Sequence, residues 1–160
     1  MSNLVEVNVD ESIDAPAWLE KIEPFVQKVL LEGKYKQEEI SILFCNDSFI
    51  QSLNKQYRNI DSPTDVLSFE NGEHYKDEEG NEWITAGDIV ISLETLPKNA
   101  EYFEVSQNEE LKRLLVHGVL HLNGMDHGEE HVQKGVEPVC KMLKVQKKIL
   151  SKLEAEKIIG

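Results

Sequence analysis

Apolar and polar residues alternate at the start of the chain. Val5, Val7 and Val9 are separated by Glu6 and Asn8, the period of a half-buried strand. Asp14 followed by Pro16 then reads as a helix start, and Trp18, Ile22, Phe25, Val26 and Val29 form an apolar stripe that ends at Gly33. Pro24 lies inside that stripe and is expected to kink or split the helix. The short apolar run Ile40 to Cys45 predicts a second strand. Asn46 or Asp47 can cap a helix running through Phe49, Ile50 and Leu53 towards Tyr57. Pro63 imposes an extended or turn conformation on Ser62, and Val66, Leu67 and Phe69 suggest a third strand. The acidic segment around Gly72 and Gly80 reads as a loop, and Ile89 to Ser92 as a fourth strand.

The second half is patterned for helices. A short one fits Leu93 to Phe103. Ser106 and Glu109 form a capping box ahead of Leu111, Leu114 and Leu115, and that helix should stop at Gly124. A last helix is expected from about Glu130 to Glu154. Strands early and helices late, with some mixing, argue for an α+β fold, and 160 residues suit one compact domain spanning 1–160.

Composition narrows the function classes. The amino terminus has neither a basic start nor an apolar core segment, so no secretory signal is expected, and no stretch approaches the roughly 18 apolar residues of a membrane helix. Cys45 and Cys140 are far apart and sit among apolar neighbours, as buried thiols in a reducing compartment do, so a cytoplasmic location is expected. A net charge of −13 argues against a generic nucleic-acid binder. The charge is uneven: Glu70 to Glu82 is strongly acidic, whereas Lys141 to Lys152 holds five lysines and no acid. Such a run is usually a solvated face, and otherwise an anion-facing one.

The candidate chemistry lies between positions 117 and 127. His117 and His121 are four apart on a predicted helix, so both imidazoles project from one face. Gly124 lets the chain turn, and His127 can return to the same ion from a third direction. The spacing H-x-x-x-H-x-x-G-x-x-H is a zincin-like ligand pattern. Three imidazoles leave a fourth tetrahedral position open, the arrangement of a catalytic rather than a structural zinc. His74 and His131 complete no such spacing and are expected to be solvated. Where metallopeptidases carry a glutamate base after the first histidine, this chain has Gly118, which disfavours peptide hydrolysis and predicts extra room beside the ion, with close packing of the helix on a neighbouring strand as the alternative.

Upstream lies Tyr57-Arg58-Asn59, followed by Pro63-Thr64-Asp65-Val66-Leu67-Ser68-Phe69 and later by Gly87-Asp88-Ile89-Val90-Ile91-Ser92. With His-Gly-Val-Leu-His-Leu-Asn-Gly-Met-Asp-His, these blocks resemble the YbeY family of bacterial rRNA-maturation endoribonucleases over about residues 40–127. Two small departures are Glu70, where many members have proline, and Ala86, where leucine is common.

The resemblance implies a mixed four-stranded sheet packed with about five or six helices, and one zinc-like ion per chain on His117, His121 and His127. It also implies a cleft arginine needed for RNA cleavage, which maps onto Arg58. The implied activity is single-strand-specific endoribonuclease cleavage in maturation of the small-subunit rRNA 3′ end and in ribosome quality control. The implied partners are rRNA and the small ribosomal subunit. Read by itself, Arg58 offers a planar fork matched to phosphate oxygens, or serves as a surface or capping residue. Asp65 and Asp88 are candidate acceptors for a histidine N–H or partners of Arg58, with capping and turns as the alternative, and Asp126 is either an orienting group or a turn residue. Two rival functions stay open: a metallohydrolase of a peptide or small molecule, and a non-enzymatic assembly factor with a mainly structural metal.

Overall fold

The computed structural model describes residues 3–125 and 140–160. Four strands form one mixed sheet: β1 (Asn3–Val9), β2 (Glu38–Cys45), β3 (Val66–Lys76) and β4 (Glu82–Ser92), in the order β1-β2-β4-β3. β1, β2 and β4 run parallel, and β3 pairs antiparallel with β4. Five helices are described: α1 (Ile22–Glu32), α2 (Asp47–Arg58), α3 (Thr95–Phe103), α4 (Gln107–Leu122) and α5 (Lys141–Lys152). The α+β class and the mixed four-stranded sheet therefore match the expectation. The last helix is described only from Lys141, and the earlier part of its expected span lies outside the described residues.

Alternation along the strands sorts the apolar residues into two layers. Ile40, Ile42, Phe44, Ile89 and Ile91 face α1 and α4, while Cys45, Leu67 and Val90 face α2 through Ile50. The central element is α4. Its Leu111, Leu114, Leu115, Val116, Val119 and Leu120 are fully buried, so the helix that carries the histidine pair is also the main pillar of the core.

Three local expectations need correction. Pro24 does not kink α1: it is the third helical residue, where the backbone N–H has no intrahelical partner, and the preceding Leu19–Lys21 forms only a 3-10 turn. The acidic segment is not one long loop. β3 continues through Glu70 and His74 to Lys76, and only the Asp77–Asn81 turn separates it from β4. Asp77 closes that turn by accepting from the backbone N–H groups of Glu79 and Asn81 and from the Trp83 indole, at 2.9 Å each. His74 is thus an exposed strand residue.

The third correction concerns Gly118. A Cβ built there would lie 2.8 Å from Ile89 Cδ1 and 3.0 Å from Ile89 Cγ2. The missing side chain serves close packing of α4 on β4, and the position is buried in the core rather than beside the histidines. Gly87 answers a similar demand in β4: at φ 142° its α-carbon lies so close to β3 that a Cβ would fall 2.1 Å from the Phe69 carbonyl oxygen.

The carboxy-terminal segment is tied down by α4. Lys112 has no exposed surface, and its Nζ donates to the carbonyls of Leu153, Glu154 and Glu156 at 2.8, 3.3 and 3.0 Å. Asn108 Oδ1 accepts from the N–H groups of Ile158 and Ile159 at 2.7 and 3.0 Å. A buried ammonium is tolerated here because carbonyl dipoles at the end of α5 replace its water. The same latch sets α5 against α4, which matters for the site.

Candidate functional site

α4 presents Arg113, His117 and His121 along one side, as a spacing of four per turn requires. Ser106 starts the helix by accepting from the Glu109 N–H at 3.1 Å. A Schellman turn ends it: Met125 N–H donates to the Leu120 carbonyl at 3.1 Å and Gly124 N–H to the His121 carbonyl at 3.0 Å, with Gly124 at φ 82°. The Ser106 cap and the Gly124 stop thus operate, and the chain leaves His121 in a sharp turn.

The Nε2 atoms of His117 and His121 are 3.1 Å apart, and the rings are nearly edge to face. Two nitrogens held by one zinc at tetrahedral angles are separated by about 3.3 Å, given bonds of roughly 2.05 Å. The pair therefore fits a zinc-sized ion. His117 Nδ1 lies 2.8 Å from Oε1 of Gln146 on α5. With that oxygen as acceptor, Nδ1 carries the ring proton and Nε2 is the lone-pair nitrogen of the neutral ring, the tautomer a metal requires. Gln146 is only 3% exposed and occupies the buried stripe of α5 with Met142, Leu143 and Ile149. Sequence reasoning missed it. The signal was a glutamine at an apolar position of a helix whose outer face is lysine. His127, Asp126 and His131 lie outside the described residues, and among the described residues no group of three metal-ligating side chains converges.

The histidines open onto a cleft of about 540 Å³ whose other walls include Arg58, Ser68, Asn99, Tyr102 and Arg113. Arg58 is in the last turn of α2, which Asn46 caps by accepting from the Phe49 N–H at 2.8 Å and Asn59 ends in the left-handed conformation. Its guanidinium lies over the Phe69 ring, 5.0 Å from the centroid, and donates to the Ser68 carbonyl at 2.8 Å. Among the described residues no carboxylate forms an ion pair with it, so one face of a positioned cation looks into the cleft.

Arg113 differs. It forms a two-pronged pair with Glu110 at 2.9 and 2.7 Å and approaches Asp65 at 3.5 Å. Burial opposes its charge, but the hydrogen bonds and charges of Glu110 and Asp65 outweigh this and hold the guanidinium above its ordinary pKa. Asn99 donates to Asp65 at 2.8 Å and completes the frame. Among the described residues Asp65 is therefore matched to Arg113 and forms no ion pair with Arg58. Asp88 lies on the α2 side of the sheet, beside Leu43 and Val90, and burial raises its pKa. Asp65 also accepts from the Val66 N–H at 2.7 Å, the capping duty that is its alternative reading. Cys45 is fully buried, and burial pushes its thiol up to about 12, so it is inert at neutral pH, and no disulfide joins it to Cys140.

Taken together, fold and site define a class: a single α+β layer protein whose core helix delivers a histidine pair to a cleft that also holds an arginine with no ion pair among the described residues. The family model of the endoribonuclease YbeY matches residues 5–154, and the chain belongs to that family. It is 52% identical over 150 residues to the endoribonuclease YbeY of Treponema denticola, covering 94% of this chain and 93% of that one. The namesake of Aquifex aeolicus is 39% identical, with coverage of 84% and 83%. The solution structure of a Thermotoga maritima protein superposes with a TM-score of 0.59 at 23% identity, covering 95% and 93% of the two chains, and it shares the fold.

Proposed function

We propose that this chain is a metal-dependent endoribonuclease that cuts single-stranded RNA, processes the 3′ end of small-subunit ribosomal RNA, and takes part in ribosome quality control in the cytoplasm. Membership of the YbeY family supports RNA phosphodiester cleavage. One observation carries the chemistry: Arg58, His117 and His121 line a single cleft. Zinc suits the neutral imidazoles of His117 and His121, with His127 as third ligand. When bound, it supplies Lewis acidity towards a phosphoryl oxygen.

The chain's own residues do the rest. Gln146 fixes the proton of His117 on Nδ1 and so aims Nε2 into the cleft. Phe69 and the Ser68 carbonyl hold the Arg58 guanidinium in place, where its remaining donors can meet the scissile phosphate and offset the charge that grows on it. Arg113, already matched by Glu110 and Asp65, braces the wall between α4 and β3.

Arg58→Ala tests the role of that cation. Cleavage of single-stranded RNA is expected to fall at least about 100-fold, while bound metal is retained and the thermal midpoint moves by no more than about 2 °C. Arg58→Lys should recover little, because the flat fork is lost. Full cleavage by Arg58→Ala would remove the arginine from the mechanism.

Gln146→Leu keeps the shape of α5 but not the acceptor. Zinc affinity, measured by chelator competition, is expected to fall roughly 10- to 100-fold. Gln146→Glu, which still accepts from Nδ1, should bind zinc at least as well as Leu. Unchanged affinity in Gln146→Leu would show that the histidine is oriented by other groups.

A further inference from the structure

Tyr102 stands out on the cleft wall. It is 68% exposed although aromatic, and it lines the same cleft as Arg58 and the histidines. Its ring is not loose. Phe103 meets it edge-on at 5.0 Å between centroids, and Arg113 lies over Phe103 at 5.1 Å. The end of α3 is itself fixed: Glu104 is left-handed, and Val105 N–H donates to the Ala100 carbonyl at 3.0 Å. A large apolar face is thus held open to solvent by a chain of contacts running back to the Glu110–Asp65 frame.

We propose that Tyr102 is a stacking platform for an unpaired nucleobase next to the scissile phosphate. This rests on the nuclease reading above. Arg58 lines the same cleft and offers a fork for the strand's phosphate, which leaves the base to reach the tyrosine. Every base has a π-face, so the contact is tolerant of sequence, whereas a base inside a duplex has its faces already covered. Tyr102 therefore contributes preference for single strands rather than for a particular base.

The test uses the zinc-loaded whole chain and two probes. One is a short single-stranded 2′-O-methyl phosphorothioate oligonucleotide that resists cleavage, and the other is the same backbone with abasic positions. Tyr102→Ala is expected to bind the base-bearing strand roughly 5- to 100-fold more weakly than wild type. Tyr102→Phe should stay within about twofold, since the ring remains. The abasic strand should bind wild type and Tyr102→Ala alike. Tyr75→Ala, at the far end of β3, serves as the control and should leave binding unchanged. Equal binding by Tyr102→Ala, a loss in Tyr102→Phe as large as in Tyr102→Ala, or a difference that persists on the abasic strand would each overturn the proposal. A wild type that cuts RNA while Tyr102→Ala binds normally defeats only the platform. A wild type that neither binds nor cuts RNA defeats the nuclease reading and the platform with it.

Discussion

His117→Ala and His121→Ala are each expected to abolish stoichiometric zinc binding and, with it, RNA cleavage. The purified wild-type chain should carry about one zinc by elemental analysis, the loading expected of three imidazoles around one ion. Removing either member of the pair leaves one α4 nitrogen where two now converge at 3.1 Å. Two monodentate imidazoles cannot hold zinc tightly at neutral pH. His127→Ala should behave in the same way, and His131→Ala should keep the metal. Both variants of the α4 pair should still fold, because the rings are only half-buried and sit at the edge of the core. The wild type should gain thermal stability on adding zinc, whereas the variants should not. A wild type free of transition metal after zinc is supplied, or a His131→Ala chain that loses it, would refute the ligand assignment.

Gly118→Glu is expected to be the most damaging change to the fold. The glutamate base of a metallopeptidase would not reach the ion here. Its Cβ would strike Ile89, and the carboxylate would be driven between α4 and β4. An unpaired buried charge costs on the order of several kcal/mol, a large share of the roughly 5–15 kcal/mol that holds a domain together. The thermal midpoint should fall by at least about 10 °C, or the chain should not accumulate in soluble form. Gly118→Ala sets helix propensity, a gain of up to about 1 kcal/mol, against overpacking of roughly 1–3 kcal/mol. A modest net loss is expected, and Ile89→Val should recover part of it by removing the Cδ1 atom that a Cβ meets first. A Gly118→Glu chain with wild-type stability that merely lost RNA cleavage would return the explanation to charge repulsion beside the ion.

Local signals in the chain were enough for the elements that carry the site. The Ser106 cap, the four-residue spacing of His117 and His121, the Asn46 cap and the Gly124 stop all depend on neighbours within a turn or two and operate as expected, though Glu109 contributes only its N–H to the capping box. The alternating valines of β1 and the apolar run of β2 also predict their strands, because burial on one or both faces is written into consecutive residues. The acidic hairpin was missed for the opposite reason. Glu70 to Lys76 is exposed on nearly every residue, so pairing with β4, rather than any apolar pattern, makes it a strand.

Tertiary structure alone decided the partners. Asp65 turned to Arg113 instead of Arg58, because α4 lies against the start of β3 and the chain separation of 48 residues carries no local trace. Gln146 reached His117 across 29 positions, brought there by a latch of Lys112 and Asn108 that no periodicity reveals. Gly118 read as space for a substrate first and space for a strand second, and the position of Ile89 decided for the strand. A sequence specifies which groups are available and how each helix faces. Which groups meet is set by how those faces pack, and that is a property of the whole core.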